Sequence, residues 1–211
     1  MTLSHYMKES VKIQLPENIS DITLEQSQKY LAISERENLS DLNKTRRIVK
    51  LFTGLKTKEV DAMTITDYEM IINHIGIALN TEVEFTQRFT LGGIEFGFVP
   101  NLDEITAGEY IDLTSSGVSS QTLHNTLAIL FRPITKEDKH GHYEVEPYTA
   151  SNEYKELMKQ APMSIVNGML VFFCLLSNEL EASILKSTGV TVEEARRKQV
   201  TTSPNGDGTL A

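Results

Sequence analysis

The feature that most constrains this chain is an alternation of apolar and polar side chains over residues 83–99, broken once by a pair of glycines. Val83, Phe85, Phe89 and Leu91 fall on one parity, and Glu84, Thr86, Arg88 and Thr90 fall on the other. Successive side chains of a strand point to opposite faces, so such a segment buries one parity and wets the other. Gly92-Gly93 supplies the positive φ that a two-residue hairpin turn demands, after which Ile94, Phe96 and Phe98 resume the alternation. The pattern predicts an antiparallel hairpin with Phe85, Phe89, Ile94, Phe96 and Phe98 on its buried side.

Around the hairpin the periodicity is mostly helical. Thr23 and Gln26 have capping-box spacing ahead of a helix over 24–35, with Leu24, Tyr30, Leu31 and Ile33 as its apolar face. Ser40 or Asp41 caps a second helix that ends at Gly54, turns Leu42, Ile48, Val49 and Phe52 to the core, and leaves Arg46, Arg47 and Lys50 in solvent. Thr66 and Glu69 open a third over 67–79, on which Tyr68, Ile71, Ile72, Ile75 and Leu79 share a face. Thr106 with Glu109 starts another, carrying Tyr110, Ile111 and Leu113, and a Ser/Gly-rich break over 114–120 precedes a helix over 121–131 closed by Pro133. A short helix over 152–160 leads to Pro162, at the N1 position of a long helix over 163–186 that Gly189 stops.

Two short strands complete the pattern: Val11 to Leu15, stopped by Pro16 and read as an edge, and 142–147, entered through a charged turn over 136–141. The expected fold class is α+β, a mostly helical single domain over 1–189 with a β-hairpin and short edge strands. Residues 190–211 read as a charged helix followed by a flexible tail.

A chain of 211 residues can bury a core without metals or disulfides, and its single cysteine, Cys174, is expected to pack as a small hydrophobe. With 20 basic and 29 acidic residues the net charge is −9, which opposes a phosphate backbone, so no nucleic-acid partner is expected. No segment approaches the roughly 18 apolar residues of a membrane span, and Met1 to Ser10 lack the basic flank of a secretion signal. The expected location is the cytosol, with no membrane partner.

Phosphate loops, dinucleotide fingerprints, HExxH, CxxC pairs and GxSxG elbows are all missing from the sequence, so no catalytic residue, cofactor or metal is assigned and the chain is expected not to be an enzyme. His140 and His142 flank Gly141 beside Asp138, a permissive metal spacing read here as a solvated turn. His74 and His124 read as packing residues. Asp103, Glu104, Glu109 and Asp112 form an acidic group, explained as helix N-terminal charge and solvated faces without the aromatic cleft that a glycosidase needs.

Two features stand out as candidate partner-binding surfaces. The basic face of Arg46, Arg47 and Lys50 is one. The other is the long helix, whose Val166, Met169, Leu170, Phe173, Leu176 and Leu180 make a core-facing stripe while Ile165, Phe172 and Cys174 add apolar character outside it. Phe172, Phe173 and Leu176 are the residues singled out there, and the all-round apolar stretch over 165–176 predicts burial in the domain or against a partner.

The run Pro100-Asn101-Leu102-Asp103-Glu104-Ile105, followed by Gly108 to Leu113, resembles a pattern in proteins encoded among the tail and virion genes of tailed bacteriophages. Leu123-His124, Ala128 to Pro133 and Tyr143 to Tyr148 continue it, and the Phe172-Phe173 helix looks like the closing helix of the same group. Within that group the likeness is to tail assembly chaperones, which implies a tape-measure or other tail protein as partner, work in the host cytoplasm and no active-site residues. A structural virion protein of the connector, tail or baseplate is the alternative implied by the same resemblance. An enzyme with an unrecognised site is the third reading, and it requires Asp103, Glu109, His124 and His142 to converge in one cleft.

Overall fold

A computed structural model describes residues 13–116, 119–150 and 153–188, the side chains of 116 and 177–188 excepted. Residues through Met169 form one compact unit and those from Leu170 onward another, and each is described by itself. The α+β class stands: eight α-helices among the described residues accompany one four-stranded antiparallel sheet. The expected strand residues 11 and 12, Gly189, the charged helix over 190–200 and the tail lie outside the described residues.

The hairpin is present and shorter than its sequence pattern. β1 (Arg88–Leu91) pairs antiparallel with β2 (Ile94–Phe98), Phe89 opposite Phe96 and Leu91 opposite Ile94. Gly92 and Gly93 turn between them at φ 59° and 79°, the double positive φ of a tight hairpin turn that side chains with a Cβ resist. Phe96 and Phe98 are buried as expected, whereas Phe85, Phe89 and Ile94 are half-buried.

Strand assignment starts only at Arg88, and before it only the Gln87 carbonyl, accepting from the Phe98 N–H, continues the pairing, which corrects the expected hairpin length. The backbone at Glu84 and Phe85 instead runs against the helix carrying Gly168: a Cβ placed there would meet the Glu84 carbonyl oxygen at 2.6 Å and Phe85 Cα at 3.1 Å. Phe85 still reaches the aromatic cluster, its ring edge-on to Phe98 at 5.0 Å. Packing against a helix has won over continued pairing.

β3 (Phe131–Glu137) adds to β2, Phe98 opposite Phe131 and Phe96 opposite Pro133, and β4 (Tyr143–Val145) completes the sheet in the order β1-β2-β3-β4. Pro133 was expected to close a helix and sits inside a strand. Phe98 donates its N–H to Gln87 on the β1 side, so Phe98–Phe131 and, two residues on, Phe96–Pro133 are pairs without mutual hydrogen bonds. The missing proline N–H therefore points away from β2, towards the residue after β4, whose N–H (Glu146) still donates to the Pro133 carbonyl at 2.8 Å. Phe89 stacks on Phe96 and meets Phe131 edge-on, so one face of the sheet is a ring cluster. On the other face the Tyr143 ring lies so close to Gly97 that a Cβ there would come within 2.4 Å, and its hydroxyl donates to the Phe98 carbonyl.

The N-terminal helices follow the sequence more closely in extent than in burial. Ile13 is buried, but residues 13–15 carry no strand, so the expected edge strand is not found there. α1 (Leu24–Ser34) has its predicted capping box, Thr23 and Gln26 each accepting from the other's backbone N–H. It buries Leu24, Ser27 and Gln28, leaving Tyr30, Leu31 and Ile33 half-buried. α2 (Asp41–Thr53) ends at Gly54 with φ 71° and buries Val49 and Phe52. Leu42, expected in the core, is 80% exposed because it falls in the first turn of α2, beside the exposed loop over 35–38.

A short α3 (Thr57–Asp61), not expected from periodicity, precedes α4 (Ile65–Leu79). α4 starts two residues early because Thr64, not Thr66, accepts from the N3 amide, that of Asp67. It buries Ile71, Ile75 and Ala78.

α5 (Ala107–Ser116) carries the Thr106–Glu109 capping box, yet Tyr110 and Ile111 are exposed and Glu109 is buried, the reverse of the expected face. α6 (Leu123–Leu130) passes directly into β3, and its Leu123, Leu127 and Leu130 are buried as predicted. α7 (Lys155–Met158) is shorter than expected, residue 152 lying outside the described residues. α8 (Met163–Thr188) begins just after Pro162, and its entry is tied to α1: Leu24 donates to the Ala161 carbonyl and Met163 to that of Ile22.

Candidate functional site

Three clusters carry the chemistry of the described chain. The first lies between α1 and α2, whose Tyr30 and Phe52 rings meet at 6.2 Å and whose ends are joined where the Lys44 ammonium donates to the Ser34 carbonyl. The same two helices line a groove of about 430 Å³ with the apolar Ala32, Ile33 and Leu51 and the cationic Lys29, Arg36, Arg47 and Lys50. No acidic residue lines it.

Arg46, expected in solvent with Arg47 and Lys50, is instead turned to α3, where it pairs with Asp61. Its Nε is buried with no hydrogen-bond partner among the described residues. Lys50 donates to the Thr57 hydroxyl at 2.8 Å, so the cationic face is partly spent in holding α3, and Arg47 remains exposed. Lys29 pairs with Glu25 one turn away, in solvent where such a pair contributes little.

The second cluster is the far part of α8. Phe172 and Phe173 are half-buried, their rings edge-on at 5.4 Å, and Leu176 is 41% exposed. Val171 and Leu175 are more exposed than either phenylalanine, and Cys174, expected to pack as a hydrophobe, is exposed as well. Of the stretch over 165–176, expected to be buried in the domain or against a partner, Ile165, Val166 and Met169 are core, Asn167 and Leu170 are half-buried, and Val171 is exposed. Residues 171, 174 and 175 fall at helical spacing on one face.

The third cluster is polar. The Glu109 carboxylate pairs with the Arg132 guanidinium at 3.1 Å, both nearly excluded from solvent, and its other oxygen accepts from the Thr106 N–H. Burial pushes the Arg132 guanidinium below its ordinary range, Glu109 opposing that shift, and its Nε has no hydrogen-bond partner among the described residues. The Tyr148 hydroxyl donates to Asp112 and that of Tyr154 to Glu146, and burial, with those carboxylates, pushes both phenols up to about 12. Each of the three carboxylates therefore has a donor. The acidic group over 103–112 is thus not only helix-end charge, because Glu109 and Asp112 dock α5 onto β3 and the segment after β4.

The residues whose convergence would signal a catalytic cleft are scattered. Asp103 is exposed in a 3-10 turn (Leu102–Glu104), and Glu109 faces Arg132. His142 pairs with the Asp138 carboxylate at 3.0 Å, which holds Asp138 below its usual range. His124 is held low by burial first and by the nearby Lys159 cation second. Among the described residues no three His, Cys, Asp or Glu side chains come together to hold a metal, and no helix is long and apolar enough to cross a membrane.

No protein-family model, curated protein or solved structure matches the chain.

Proposed function

We propose that this is a non-enzymatic assembly protein that binds another protein through the exposed apolar face of α8. The observation that carries the reading is the exposure of Val171 and Leu175, 44% and 58%, one turn apart on a helix whose preceding turns bury Ile165, Val166 and Met169. A clustered apolar face on a helix is the surface that an amphipathic partner helix covers.

Within that class the resemblance of the 100–113 run to tail-gene products favours a tail assembly chaperone of a tailed bacteriophage, acting in the host cytoplasm on the tape-measure protein. Such a partner displays long apolar helices until the tail encloses them, and an acidic chain of net charge −9 keeps the pair in solution.

The test is co-expression with an apolar helical segment of the tape-measure protein from the same genome, followed by affinity capture and a melting curve. The expected result is a soluble complex lost when Val171→Asp and Leu175→Asp are combined, with melting unchanged. A complex that survives both changes places the interface elsewhere, and failure of the wild-type chain to hold the segment in solution removes the chaperone role.

A further inference from the structure

We infer that the groove between α1 and α2 is a docking site for an acidic amphipathic helix of a partner protein, an interface built from other residues than the α8 face. On α2, Arg47, Lys50 and Leu51 stand at i, i+3 and i+4, and on α1, Lys29, Ala32 and Ile33 repeat the same spacing. α1 thus contributes one cation and two apolar side chains, α2 two cations and one apolar side chain, and Arg36, just past the end of α1, adds a fourth positive charge. A groove lined by apolar and cationic side chains alone, cations coming from both helices, matches a helix with an apolar stripe flanked by carboxylates.

The charge is concentrated against the trend of the chain, four cations and no anion lining one groove in a protein of net charge −9. Much of it is available for a partner. Arg36 and Arg47 form no ion pair among the described residues, Lys50 has only a neutral hydroxyl partner, and the Lys29–Glu25 pair is solvent-screened. Arginine also offers the planar fork that grips a carboxylate with two hydrogen bonds.

Other anionic ligands fit less well. A single fatty carboxylate would neutralise one of four cations, and a nucleic-acid strand needs stacking rings, none of which line the groove. The partner's helix needs about two turns to follow the stretch from Lys29 to Arg36.

The experiment presents the full-length chain as bait to a displayed library of randomised helical peptides about four turns long. The expected outcome is enrichment of sequences in which Glu or Asp flank an apolar i, i+3, i+4, i+7 stripe. Fluorescence anisotropy with the enriched peptides should show binding weakened about tenfold or more by combined Arg36→Gln and Arg47→Gln. Binding should also weaken as salt is raised, while both exposed substitutions leave the melting temperature in place. Enrichment of neutral or basic peptides, affinity indifferent to the double substitution, or displacement of the peptide by equimolar dodecanoate or oligothymidylate would each overturn the assignment. Val171→Asp with Leu175→Asp should leave peptide binding intact, which keeps this result apart from that of the α8 face.

Discussion

The ring-bearing face of the sheet and the α1–α2 pair are both predicted from apolar periodicity, and they end in opposite states. In the sheet, Phe96 is completely buried between the rings of Phe89 and Tyr154, and Phe131 is completely buried against Phe89 and Phe98. On α1 and α2, Tyr30, Leu31, Ile33 and Leu51 are half-buried and Leu42 lies in solvent. A strand's period of two commits every second side chain to one face, and register with two neighbours closes that face. A helix buries only the arc that its neighbours cover, so the same count of apolar residues can leave an open groove. Closure by register suits a scaffold, and an open arc suits recognition.

The contrast is tested most severely at Phe96. Phe96→Ala should cost about 3–5 kcal/mol, read from denaturant unfolding, because a fully buried ring leaves a cavity as well as lost burial. A cost below 1 kcal/mol, on the order of a surface change, would mean that this face is not closed in solution. The next effect lies at the back of the same region. Glu109→Gln leaves the Arg132 guanidinium buried without its counter-charge and should destabilise by roughly 3 kcal/mol, towards the lower end of the cost of breaking a buried pair. If the change is neutral, Arg132 has water or another acceptor, and the docking of α5 rests on Asp112 and Tyr148 alone.

The smallest effect sharpens the other side of the comparison. Leu42→Ser should shift stability by less than about 0.5 kcal/mol, since an exposed leucine gives up no burial. A larger loss, or one that grows with protein concentration, would show that the first turn of α2 is covered in solution by a second copy.

What the sequence discloses follows the same division. The turn at Gly92-Gly93, the capping boxes at Thr23 and Thr106 and the helix stop at Gly54 are local devices, and all are where their residue types require. One local device was misplaced, the cap of α4 falling at Thr64 and not Thr66, while the larger misses depend on partners distant in sequence. The segment from Val83 alternates like a strand, but Glu84 and Phe85 lie against Gly168, whose lack of a Cβ is the one signal that a backbone passes close by. Pro133 reads as a helix stop and becomes a strand residue because its absent N–H faces away from β2, so no bond between those two strands is lost.

At the candidate surfaces, Arg47 and Lys50 were legible as cations. The diversion of Arg46 to Asp61 was not, since it depends on the unpredicted α3. Likewise, the apolar excess of the long helix was plain, but that its full burial ends after Met169 was not.

The direct passage of α6 into β3, with Leu130 the last helical residue and Phe131 the first of the strand, bears on how this chain tolerates insertion. Both junction residues are core, and the Leu130 carbonyl is already taken by the Val99 N–H, so the join has no slack in which to seat an added residue. An insertion there would shift the strand by one place and turn its buried side chains to the opposite face. The tip at Lys139 to Gly141, exposed and closed by Gly141 at φ 85°, has no such obligation. A reporter tag or an engineered loop therefore belongs at that tip, on the same strand pair but clear of the core.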